Sequence, residues 1–190
     1  MPQKAPCRYT HGFIASGECP WCHEPVVDGK LRSEVPLREV AVLRWNVPAM
    51  LAALDADDEA RDGVLSELLL HGPGIPDALP VLRKALAHPA CRTETVTLSA
   101  FHLRGSELTS EQAEGFEQEC RTQPDDCALH LLLLGYYSLR STRSEADRRA
   151  WQRQVLWVVE HAPDLAGTGT APLYLDPATE AAAYERAKQL

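Results

Sequence analysis

Residues 109–137 read "TSEQAEGFEQECRTQPDDCALHLLLLGYY". Thr109 and Gln112 stand at the spacing of a capping box, where each side chain satisfies a backbone N–H of the other at a helix start. Ala113, Phe116 and Cys120 then fall three and four residues apart, the period of one helix face. Pro124-Asp125-Asp126 supplies a new start signal, and Leu129, Leu132, Leu133 and Tyr136 form the apolar face of the next helix. Two one-sided helices joined by a short polar turn must bury their faces against one another or against further helices.

The same texture extends in both directions. Towards the N-terminus, helical segments are expected over Leu37–Trp45 and Pro48–Leu54. Asp57 or Asp58 caps a helix that presents Val64, Leu65, Leu68 and Leu69, and His71-Gly72-Pro73-Gly74 stops it. Another presents Ile75, Leu79, Leu82 and Leu86 and ends at His88-Pro89. A third runs from Thr93 to Leu103 with Val96, Ala100 and Leu103 aligned, closed by Gly105. Towards the C-terminus, Ser144 with Asp147 opens a long helix carrying Trp151, Val155, Leu156 and Val159. A loop from Pro163 to Pro177 leads to a terminal helix, for which Asp176-Pro177 is the start signal. The fold class expected is all-α: antiparallel helix pairs, in a solenoid or bundle over residues 35–190.

Residues 1–30 have a different character. They contain Cys7 and His11, then Cys19-Pro20-Trp21-Cys22-His23. Three thiolates and an imidazole are a standard structural zinc set, and a Cys-x-x-Cys turn points both sulfurs at one ion. Cys7, His11, Cys19 and Cys22 are the expected ligands of a structural Zn2+, with His23 a rival to His11 for the fourth position. Gly12 and Gly17 bracket the intervening loop, and Trp21 is expected to shield one side. Val26–Ser33 reads as a short exit strand or linker, with Asp28-Gly29 as its turn. With four protein ligands the site is closed to water and substrate, so the metal is expected to be structural rather than catalytic.

Charge separates the two regions. The net charge is -8. Residues 1–34 balance Lys4, Arg8, Lys30 and Arg32 against Glu18, Glu24, Asp28 and Glu34, so the whole excess falls on the helical part. An acidic body repels phosphate backbones and makes nucleic acid an unfavoured partner. A nucleic-acid contact by the knuckle itself would use Arg8, Tyr9, Trp21, Lys30 and Arg32. No stretch approaches a membrane span or a signal peptide, which places the chain in the cytoplasm, where grouped cysteines stay reduced. Cys91, Cys120 and Cys127 are expected to pack as small apolar side chains.

Two stretches carry a family resemblance. "LHGPGIPDALPVLRKALAHP", residues 70–89, resembles a HEAT-type repeat unit. "QPDDCALHLLLLGYYSLR", residues 123–140, together with residues 157–190, resembles a TPR-like helical region of uncharacterised bacterial proteins. The knuckle resembles bacterial N-terminal zinc ribbons, although its Cys-x3-His half departs from the commoner Cys-x2-Cys. The resemblance implies a protein-binding helical surface and brings no catalytic residues.

Other candidates are weak. Gly167-Thr168-Gly169-Thr170 lacks the strand before it and the Gly-Lys-Ser/Thr after it that a phosphate loop needs. The remaining histidines are scattered singly. Tyr136, Tyr137, Trp151 and Trp157 suit a core as well as a binding groove. Asp55, Asp57, Asp58, Glu59 and Asp62 suit a solvated helix start. The function expected is a non-enzymatic protein–protein adaptor. The alternatives are a nucleic-acid-binding knuckle and a redox or metal-responsive switch at Cys19 and Cys22.

Overall fold

Helix α1 spans Val47–Ala53, α2 Asp58–Leu70, α3 Ala78–Ala87, α4 Pro89–Arg92, α5 Thr95–Ser106, α6 Ser110–Thr122, α7 Cys127–Ser138, α8 Glu145–His161 and α9 Pro163–Ala166. They are seen in a computed structural model that describes residues 7, 11–39, 43–72, 74–75, 77–92, 95–166, 181 and 185. The protein is mostly helical, with a small antiparallel sheet before the first helix. Among the described residues no helix is long and apolar enough to cross a membrane.

Helix α7 is the centre of the body. Asp126 starts it, its Oδ1 accepting from the backbone N–H groups of Ala128 and Leu129. Ala128, Leu129, His130, Leu131, Leu132, Leu133, Gly135 and Tyr136 are all buried. A helix apolar on nearly every side must be surrounded, and α7 packs against α3, α5, α6 and α8. Helix α5 crosses it antiparallel at close range, where Gly105 meets Leu132 and Gly135. Helix α2 packs on the opposite flank of α5, and α1 rests on α2 and α3.

The helix starts follow the sequence chemistry. The Thr109–Gln112 capping box forms in full. Asp57 caps α2 through Ala60 N–H, and Ser144 caps α8 through Asp147 N–H. Arg83 of α3 reaches Glu119 of α6 at 2.9 Å and Asp126 at 2.6 Å, tying the α6–α7 turn to the rest.

Four expectations are corrected. The described parts of Leu37–Trp45 do not form the expected helix: Leu37–Glu39 is a single 3-10 turn and Arg44–Trp45 is strand β4. Two residues have no strand tendency of their own; β4 exists because β1 (Ile14–Glu18) supplies backbone partners, Ile14 opposite Trp45. Gly105 does not close α5 but lies within its last turn, where the small residue admits α7. That helix buries Ala100, Phe101 and Arg104, while Leu103 is exposed. Finally, the stretch after Pro163 begins with a helical turn, α9, whose Leu165 is buried. Gly167–Thr170 and most of the terminal helix expected from Asp176-Pro177 lie outside the described residues.

The sheet orders its strands β3-β2-β1-β4, where β2 is Pro25–Val27 and β3 is Lys30–Leu31. The Asp28-Gly29 turn between β2 and β3 forms as the sequence suggests, with both residues at positive φ. Gly17 has φ 139 inside β1, where a Cβ would stand 2.6 Å from the Cα of Leu43. Its role is thus a close backbone approach rather than a loop reversal. The sheet has its own small core of Ile14, Cys19 and Val26, and Trp45 packs against both this core and that of the helical body.

Candidate metal centre

Strands β1 and β2 pair with Glu18 opposite Pro25, and the turn that joins them holds Cys19 to Glu24. Cys19 N–H donates to Glu24 O and His23 N–H donates to Cys19 O, both at 2.9 Å. These bonds fold the Cys-x-x-Cys segment into a compact knuckle. On the other side, a 3-10 turn over His11–Phe13 leads into β1 and sets His11 beside it.

Cys7, His11, Cys19 and Cys22 come together there, with one donor atom from each, all within 4.8 Å of one another. Donors bound tetrahedrally at ~2.0–2.3 Å lie about 3.3–3.8 Å apart, so the group fits around one ion with a small contraction. Cys19 is fully buried; the other three are half-buried. Burial holds His11 below the usual histidine range, which favours the neutral imidazole that ligates metals. The arrangement is compatible with a metal site of soft and borderline donors.

His23 stands apart from this group. Its backbone is left-handed (φ 59), and its Nδ1 lies 2.6 Å from Glu18 Oε1 on the exposed side of the turn. The Cys19–Cys22 segment is flanked by two strands, not by the helix N-terminus that lowers a redox cysteine's pKa.

The centre is attached to the helical body at named points. Phe13 O accepts from Asn46 N–H at 2.8 Å, and Asn46 Oδ1 in turn caps α1 through Ala49 N–H. The Phe13 ring lies against Gly63 of α2, 3.5 Å from where a Cβ would be. Trp21, expected to shield the cluster, is 56% exposed and stands edge-on to His71 at the end of α2, ring centroids 5.6 Å apart. That contact spans fifty positions of sequence, and nothing in the spacing of either residue announces it.

The other candidates resolve into packing. Tyr136 is buried and meets Tyr137 edge-to-face, with its hydroxyl donating to Ser110 Oγ. Trp151 packs against the main core. Trp157 stacks on His130 at 3.8 Å, and Pro124 O accepts from both Trp157 Nε1 and His130 Nε2 at 3.1 Å. Cys91 is buried, and burial beside Asp126, Glu119 and Glu117 pushes the Cys120 thiol up to about 11, the range of an inert cysteine. His102 Nε2 lies 2.8 Å from Ser138 Oγ, a pair the sequence conceals. The hydroxyl proton of Ser138 is well placed on Gly135 O at 2.8 Å, which leaves Oγ to accept from His102 rather than be activated by it. Lys30 and Arg32 are exposed, Arg32 beside Glu34 at 3.7 Å; Arg8 and Tyr9 lie outside the described residues.

No known protein family, curated protein or solved structure matches this chain.

Proposed function

We propose that the protein is a non-enzymatic, cytoplasmic protein-binding module, built of TPR- or HEAT-like helix pairs, whose N-terminal knuckle is held by a structural Zn2+. The observation that carries the metal half is the convergence of Cys7, His11, Cys19 and Cys22 donors within 4.8 Å of one another. Three thiolates and one imidazole favour zinc over the harder divalent ions, and all four positions come from the chain. A closed tetrahedral site leaves no position for a substrate. The knuckle's own core of Ile14, Cys19 and Val26 is too small to fold unaided, so metal binding would supply its folding energy.

The protein-binding half is supported by the way the body uses its side chains. Among the described residues, Tyr136, Trp151 and Trp157 pack in or against the core, as do Cys91, Cys120 and Cys127, and His130 bonds Gln154. The acidic excess of the body favours a partner of complementary charge and disfavours nucleic acid.

Metal analysis of the purified protein, with Co2+ substitution, tests the first half. One ion per chain and thiolate-to-cobalt charge-transfer absorption are expected; a metal-free chain that takes up no Co2+ overturns it. Affinity capture from the native cell tests the second. A stoichiometric protein partner is expected, and a partner-free chain that turns over a small molecule refutes it.

A further inference from the structure

The two metal-binding loops each plant an aromatic ring on the same helix. His11 is followed after one residue by Phe13, whose ring rests on Gly63. Cys19 and Cys22 enclose Trp21, whose ring meets His71. Gly63 and His71 are eight residues apart, two turns or about 12 Å along α2. An ion at the cluster would therefore fix the separation of two contacts, one near the middle of α2 and one just past its end.

Beside these contacts and the Asn46–Phe13 bond, part of the seam is open. A cleft of about 600 Å³ lies between Leu43–Trp45 on one side and Gly72, Gly74 and Asp77 on the other. On the body side, α2 is held by Val64, Leu65 and Leu68 in the core. Arg104 Nη1 donates to Gly72 O at 3.0 Å just past its end. Helix α2 is thus gripped from two sides, and only one grip passes through the cluster.

We propose that metal occupancy regulates the order of the end of α2: the loaded knuckle clamps Gly63 and His71, and loss of the ion releases the turn beyond Leu68 while the α7-centred body stays folded. This rests on the metal reading above. The device is a metal-responsive switch whose output is a helix face, with no chemistry at the cysteines. Its physical basis is that the two loops have almost no core of their own and lose their relative position without the ion. The body around α7 has a much larger core that also holds Val64, Leu65 and Leu68 of α2, so the release is confined to the helix end beyond them.

Amide hydrogen exchange on the full chain, Zn2+-loaded and chelator-stripped, tests the clamp, alongside Co2+ titration of the same samples. In the stripped protein, exchange across Leu69–Gly72 is expected to rise about tenfold or more while α7 is unchanged. Trp21→Ala, an exposed position, is expected to bind one Co2+ yet to lose most of the metal-dependent protection near His71. One Co2+ bound with identical α2 exchange in both states overturns the clamp and leaves the metal centre standing. A uniform rise along the whole chain overturns it too, by making the ion a global determinant of folding. Absence of Co2+ binding removes the metal reading itself, and the clamp with it.

Discussion

Gly105 and Gly135 face each other where α5 crosses α7. A Cβ on Gly105 would stand 3.0 Å from the Cα of Gly135 and would strike the carbonyl oxygen of Leu132. A Cβ on Gly135 would meet the carbonyl oxygen of His102 at 2.5 Å. Backbone cannot move aside as a flexible side chain can. Ala is worth about 1 kcal/mol over Gly inside a helix, but overpacking a helix crossing costs about 1–3 kcal/mol. Gly105→Ala and Gly135→Ala are expected to lower the urea midpoint. Gly115→Ala, on α6 with no atom within 4 Å of its Cβ position, is expected to raise it. Equal effects at the three positions would refute the close crossing.

Asp126 serves two partners with two oxygens. Oδ1 caps α7, and Oδ2 accepts from Arg83 Nε at 2.9 Å and Nη2 at 2.6 Å. Asp126→Ala removes the cap and leaves Arg83 with Glu119 alone, an expected loss of about 2 kcal/mol. Asp126→Asn keeps an acceptor for the cap and is expected to lose about half as much. Denaturant unfolding of the two variants distinguishes a capping residue from a charge that only decorates the surface.

His11 and His23 separate cleanly by substitution. His11→Ala is expected to weaken Co2+ binding by about tenfold or more and to alter its visible spectrum, since a ligand is replaced by water. His23→Ala breaks only an exposed pair with Glu18 and is expected to leave affinity and spectrum unchanged. The reverse pattern would make His23 the ligand.

Two other histidines give the body an acid sensitivity. Burial lowers the pKa of His102; burial and the nearby Arg104 lower that of His71. In the unfolded chain both take up protons near pH ~6.5. Between that value and their lower folded pKa values the unfolded state binds more protons. Their contribution is therefore fully present above pH ~7 and is lost as pH falls below ~6.5. Urea midpoints at pH 7.5 and 5.5 are expected to differ less for His102→Gln than for the native chain. The comparison between chains removes the part due to proton competition at the metal cluster. An identical pH response in both would eliminate His102 as a contributor.

The helix starts were legible because a capping side chain sits within three residues of the N–H it serves. Thr109, Asp57 and Ser144 each announce their helix without reference to the rest of the chain. Strand β4 was not legible because Arg44–Trp45 becomes a strand only when β1 lies beside it, a partner thirty residues away. The face of α5 was misread for a related reason. Ala100 is buried as its stripe suggests, but α5 lies between α2 and α7, so Phe101 and Arg104 are buried beside it and Leu103 is not. A buried arginine disguised that face as polar. At the cluster, spacing brought four donors to notice, whereas the Trp21–His71 contact depends on where α2 ends in space.

Strand β4 also has a protective effect. With order β3-β2-β1-β4, the two-residue return of Arg44–Trp45 covers the flank of β1 that would otherwise present unpaired amides and carbonyls. Closing that pair gathers more than twenty-five intervening residues, an entropic cost that the knuckle shortens by knotting its own ends first. When Arg44–Trp45 lifts away, β1 becomes a naked sheet edge carrying Ile14, a template for another copy of the same strand. The hazard of a damaged knuckle is then self-association along the sheet, and its remedy is two residues long.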